Sequence, residues 1–229
     1  MVNKEETVAI SHLSGIKLSF YLTYILLLTT GTITIIEALS TSNPLVRHVM
    51  NLETCISVIA GYFYSQFIEK INKPEDKIDF KDINTTRYTD WFITTPLMIL
   101  VIMLSLSYAT GKYSVPVGTY LAAVLLNFGM LFSGYLGEKG TIDRSTGCIV
   151  GFLFFIGLFG LIFFNFVCNC RNTFNYVLFG IYVFVWSIYG FAYLLDEKQK
   201  NIVYNALDLI AKCFVGIGLW TYFTKILVA

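Results

Sequence analysis

Charge is scarce in this chain. Of its 229 residues, 14% are Asp, Glu, Lys or Arg, where a soluble domain carries about 25%. The formal net charge is only +1, so the basic surface by which proteins hold nucleic acid is missing. Only two histidines are present, and neither a Gly-rich phosphate loop nor a metal-ligand spacing occurs; nothing points to a nucleotide or metal site. The five cysteines (Cys55, Cys148, Cys168, Cys170, Cys213) lie in or at the ends of apolar blocks. They suit small packing positions better than a disulfide framework. The alternation of a β-barrel is absent. The start lacks a cleavable signal, because the apolar run that follows is too long and has no small-residue cleavage site.

What is present is apolar and comes in blocks. Hydrophobic residues make up 56% of the chain and form long runs instead of amphipathic stripes, which predicts an all-α, polytopic membrane protein. Seven spans are expected: Leu13–Leu39, Leu45–Ile68, Thr86–Tyr108, Val115–Leu136, Cys148–Cys168, Phe174–Leu195 and Ile202–Val228. Each is long enough for about 30 Å of hydrocarbon at about 1.5 Å per residue. Polar breaks separate them, and only the second, from Glu69 to Asp82, is long and strongly charged. One domain, 1–229, is expected, with an amino-terminal tail at 1–12 and a loop at 69–85. An odd number of spans puts the termini on opposite sides. Loop cations alone favour an outside carboxyl terminus, but most of them stand beside acids.

Two residues in the last span stand out. Asp208 and Lys212 lie at i, i+4 on one helix face, and each costs about 2.5–3.5 kcal/mol inside a membrane helix, roughly 5–7 kcal/mol together. A structural ion pair is one reading. The other is that Lys212 forms an imine with a carbonyl ligand, with Asp208 as the anion that a buried protonated imine requires. The third span opens Arg87-Tyr88-Thr89-Asp90-Trp91-Phe92-Ile93-Thr94-Thr95-Pro96-Leu97. It puts Arg87 and Asp90 on one face, with the Thr94 hydroxyl a turn further on, an arrangement that holds a carboxylate poised to take a proton. Taken alone, the segment reads equally as an interfacial helix end.

Taken together, Arg-Tyr-x-Asp-Trp-x-x-Thr-Thr-Pro-Leu in the third span and Asp-x-x-x-Lys in the seventh resemble the microbial (type 1) rhodopsins, and the resemblance covers all seven spans. It implies all-trans retinal bound through a protonated Schiff base to Lys212, Asp90 as proton acceptor and Asp208 as second counterion. It also implies Arg87 as the gate toward the outside, release toward Asp196 or Glu197, an external amino terminus and an external 69–85 loop. No enzyme activity is implied. Trp186, Tyr189, Gly190 and Tyr193 resemble the family's Trp-x-x-Tyr-Pro-x-x-Trp retinal wall, from which Gly190 and Tyr193 depart. Tyr64 resembles the second-span tyrosine that bonds the second counterion. Met98 stands where Leu or Met goes with green absorption. Asn127 takes the place of a common carboxylic acid. Tyr88, Trp91, Thr95, Met130, Gly134, Phe155 and Gly151 complete the implied pocket. Any one aromatic or Met suits core packing equally; the joint register favours the pocket.

Two further positions bear on transport. Val101 stands about three turns after Asp90, where outward pumps often carry a carboxylic donor. Glu53 is a lone acid in the cytoplasmic third of the second span, and an acid at that depth is a functional candidate or a hydrogen-bonded structural one. Glu53, the preceding Arg47 and the short loops look like the viral rhodopsins of giant algal viruses, which implies a homo-oligomer, a pentamer in the pump-like subgroup. Channel-type members tend to carry a second glutamate where this chain has Ala60, and an Asn where it has Cys213. The expectation is light-driven outward proton transport with Glu53 as donor. A light-gated cation channel and a sensory photoreceptor are the alternatives.

Overall fold

The structure is a computed structural model that describes residues 4–73, 78–111, 114–169 and 172–224, with side chains from Gly15 onward. All regular structure among these residues is helical. Seven rods follow one another: α1 (Lys4–Ser40), α2 (Pro44–Asn72), α3 (Phe80–Tyr108), α4 (Val117–Lys139), α5 (Arg144–Phe166), α6 (Thr173–Ala192) and α7 (Glu197–Thr224). Six are long and apolar enough to cross a membrane. The exception is α2, which holds Arg47, His48, Glu53, Glu69 and Lys70 within its length.

The polar breaks of the sequence turn out to be helix caps. Asn43 Oδ1 accepts from the Leu45 and Val46 amides ahead of α2, whose first residue is Pro44. Asp143, Asn172 and Asp196 do the same for α5, α6 and α7. Such side chains satisfy amides that the helix itself leaves open. Gly140 closes α4 in the left-handed conformation, φ 77°, which a Cβ would strain.

The helices extend into the segments read as tail and loop. α1 already begins at Lys4, inside the segment 1–12, and the 69–85 segment is largely helical: α2 runs on to Asn72 and α3 starts at Phe80. A Lys70–Asp82 ion pair of 2.9 Å ties the two extensions together. Lys112, Cys170, Arg171 and the last turn expected of the seventh span, up to Val228, lie outside the described residues. Cys55, Cys148, Cys168 and Cys213 are free thiols.

Consecutive helices pack side by side, and α7 returns to α1, closing a ring in which α3 also touches α6 and α7. The polarity runs outward from a charged interior. Leu18, Leu125, Leu153, Phe164 and Phe184 point away from the bundle, whereas Arg87, Asp90, Asp208 and Lys212 are shut inside it. That is the distribution expected where the surroundings are hydrocarbon.

Candidate functional site

Lys212 sits within a stretch of π-helix, Leu209–Phe214, in the middle of α7. No residue type there announces it; such bulges widen a helix locally and often mark functional positions. The Lys212 amine lies 2.8 Å from Asp90 Oδ2 on α3 and 3.7 Å from Asp208 Oδ1 one turn back. All three side chains are at most 1% exposed.

The two carboxylates are held differently. Asp208 accepts from Tyr64 (2.8 Å), Arg87 Nη1 (3.0 Å) and Tyr189 (2.8 Å). Its charge is spread over two hydroxyls, a guanidinium and the nearby lysine. Asp90 has Lys212 on one oxygen, while among the described residues the other has only Thr94 Oγ1, 3.3 Å away and also bonded to the Asp90 main-chain carbonyl. With fewer donors on it, Asp90 is the freer of the two to receive a proton. Arg87 continues the network away from Lys212: its Nη2 donates to Asn205 (2.8 Å) and Asn201 (3.2 Å). Its guanidinium lies over Phe67, 4.8 Å from the ring centroid, a contact that steadies a cation away from water. Two positive and two negative groups thus share one buried site, which limits the cost of burying any one of them.

An apolar cavity opens beside this cluster, and Lys212 and Asp208 form part of its wall. Its free volume is about 110 Å³. Trp91, Trp186, Tyr189 and Tyr204 line it together with Met130, Gly134, Gly151, Phe155 and Tyr193. Tyr88, Thr95 and Met98 also line it. The rings interlock: Trp91 meets Tyr189 and Tyr204 edge-on with centroids 5.4 and 5.0 Å apart.

Three expected site residues fall elsewhere. Asn127 is not in the cavity wall; it donates to Thr95 Oγ1 at 2.8 Å, one residue behind the lining. Asp196 is an exposed helix cap, spent on the Lys198 and Gln199 amides. Glu53 is buried, 2% exposed, and packs against Gly216 on α7, four residues beyond Lys212. A Cβ built at Gly216 would stand 2.9 Å from Glu53 Oε2, so the glycine makes room for the carboxyl. Glu53 has no hydrogen bond or ion pair among the described residues.

Beyond Arg87 lies a second charged cluster, of which only Glu197 was legible in the sequence. Glu138 on α4 and Lys200 on α7 are buried and joined at 2.8 Å, with Arg144 and Glu197 beside them. Asn84 and Asn201 connect this group back to Arg87. Glu138 and Lys200 stand at helix ends among glycines and charges, which reads as solvated loop. Only a Lys200 facing inward, three residues after the first in α7, could have marked it.

A family model described as "Bacteriorhodopsin-like protein" matches residues 14–226. The crystal structure of viral rhodopsin OLPVRII is 46% identical and superposes with a TM-score of 0.86 over 92% of this chain and 98% of that one. The structure of the light-driven proton pump from Coccomyxa subellipsoidea, 22% identical, shares the fold at a TM-score of 0.74 over 90% of this chain and 95% of that one. Among curated proteins, the green-light absorbing proteorhodopsin of Gamma-proteobacterium EBAC31A08 is 26% identical over 155 residues. This chain spans 61% of that relative's length. The chain belongs to the bacteriorhodopsin-like proteins, the microbial rhodopsins, and is a multi-pass integral membrane protein.

Proposed function

We propose that the protein binds all-trans retinal covalently at Lys212 and uses light to move protons outward across the membrane. The observation that carries the reading is the buried Lys212 amine, set in the wall of an apolar cavity and held between Asp90 and Asp208. The residues present fit the group. A long polyene needs an aromatic, largely apolar slot with a nucleophilic amine at one end and anions for the charge formed there. Gly134 and Gly190 help keep that slot open: a Cβ would come within 2.6 Å of the Tyr88 hydroxyl at the first and of the Phe152 ring at the second. When bound, retinal supplies a light-driven change of shape next to a proton on the Lys212 nitrogen.

The protein's own groups do the rest. Asp90, at 2.8 Å from that nitrogen, receives the proton. Asp208 stays ionised under its three donors and keeps the site balanced. Arg87 separates the pair from the outward cluster and passes charge toward Asn201 and Asn84. On the other side, Val101 cannot donate, and Glu53 is the buried acid placed to return a proton. Ala60 is fully buried within packed helix, which favours stepwise transfer over an open ion path. In the membrane this reading places the amino terminus outside and the carboxyl terminus in the cytoplasm, with the chain assembled as a homo-oligomer of pentameric type, as the resemblance implies.

Adding retinal to the purified apoprotein tests the attachment. Wild type should develop a visible band, and Lys212→Ala should stay colourless. Coloured Lys212→Ala with a reducible imine at another residue would overturn the assignment.

A further inference from the structure

Beyond Arg87, four charged side chains from three helices meet at one end of the bundle. The Lys200 amine, fully buried, lies 2.8 and 3.0 Å from the two carboxylate oxygens of Glu138 and 3.0 Å from Glu197 Oε2. Arg144 pairs with Glu197 and reaches Glu138 Oε1 at 3.3 Å. Asn84 on α3 donates to both carboxylates, and Asn201 joins Asn84 to Arg87. Tyr193 lies under the Arg144 guanidinium, and with Tyr88 and Tyr204 it supplies the neutral hydroxyls facing the cluster.

Two acids are matched here by two bases, and each carboxylate touches both cations. Two carboxylates left close together without cations would share a proton, because both cannot ionise. With Lys200 and Arg144 between them, protonating either acid would leave a buried cation facing a neutral group, and that is costly. Lys200 decides the balance. Arg144 is a third exposed and solvated in part, whereas the Lys200 charge has no water to turn to.

We infer that Glu138 and Glu197 are both ionised in the resting molecule, that Lys200 keeps them so, and that this outward cluster therefore stores no proton. For its kinetic consequence the inference rests on the proton-transport reading. A proton reaching Asp90 finds no stored proton further out to expel, so release to the outer side does not precede uptake from the inner side. Lys200 is a positioning residue in this scheme, acting through Glu138.

Infrared spectroscopy of the retinal-loaded, membrane-embedded protein tests it in the dark, independently of transport. Wild type should show no protonated-carboxyl stretch that Glu138→Gln or Glu197→Gln removes, from mildly acidic to mildly alkaline pH. Lys200→Met should gain one, lost again in Lys200→Met/Glu138→Gln, with an intact visible band as the folding control. A carboxyl band in wild type that Glu138→Gln abolishes would overturn the inference, as would a folded Lys200→Met without the new band. The wild-type comparison decides even where Lys200→Met does not fold. A pH-sensitive dye in the bulk should then report release after uptake in wild type and before it in Lys200→Met. Release before uptake in wild type would contradict the inference. The expected infrared result with no light-driven proton movement at all would sink the transport reading and leave the charge assignment standing.

Discussion

Asp90 and Lys212 are 122 residues apart in sequence and 2.8 Å apart in space, with side chains shut off from solvent. A lysine amine in that setting, bordering an apolar cavity, is both a nucleophile and a charge that needs its partner. The site is organised by this contact.

Asp90→Asn removes the acceptor and one of two anions that favour a protonated nitrogen at Lys212. The visible band should move to the red, and light-driven proton release should fall by at least about a hundredfold, the range associated with losing a positioned acid or base. Absorption spectroscopy and bulk pH recording check both. An unmoved band with undiminished release would remove Asp90 from the role.

Asp208 bears on stability as well as on charge. Tyr64, Arg87 and Tyr189 all converge on its oxygens. Asp208→Ala leaves Arg87 buried without its carboxylate, a change that costs about 3–5 kcal/mol where one partner of a buried pair is lost. Asp208→Asn keeps an oxygen for the hydroxyls and should cost less. Thermal bleaching of the retinal-loaded protein in detergent should rank wild type above Asn and Asn above Ala. Equal midpoints for all three would show that the network contributes little to the fold.

Glu53→Gln keeps the shape of the side chain beside Gly216 and removes its proton. If Glu53 returns a proton from the inner side, recovery of the resting absorbance after a flash should slow by about tenfold or more and become strongly pH-dependent. Azide, a small mobile proton carrier, should restore part of the rate. Gly216→Val crowds the same carboxyl and should perturb recovery without removing any titratable group. Identical recovery in wild type and Glu53→Gln across pH would place uptake on another route.

The legible part of this protein was the part fixed by strong local costs. Long apolar runs gave seven helices, and two charges in the last of them, with Arg87 and Asp90 in the third, gave the buried cluster. The structure brings those four together with Tyr64, Thr94 and Tyr189. Asn127 bonds the cavity-lining Thr95, a partner that register cannot reveal because it locates a residue on a face and not its neighbours. Asp196 was named as an outward acid because its capping bonds cannot be seen in composition. Glu138 and Lys200 went unrecognised for the opposite reason: polar residues at helix ends usually meet water, and only tertiary packing turns these two inward. The π-helical stretch at Lys212 depends on that packing too, and no residue type announces it.

The most direct test of the central claim is the photocurrent of the full chain in a voltage-clamped membrane supplied with retinal. Outward proton transport predicts a light-dependent current that keeps one sign over the accessible voltage range, carries charge outward, and disappears in Asp90→Asn and Lys212→Ala. A current that reverses near the equilibrium potential of a permeant cation would contradict it and identify a channel.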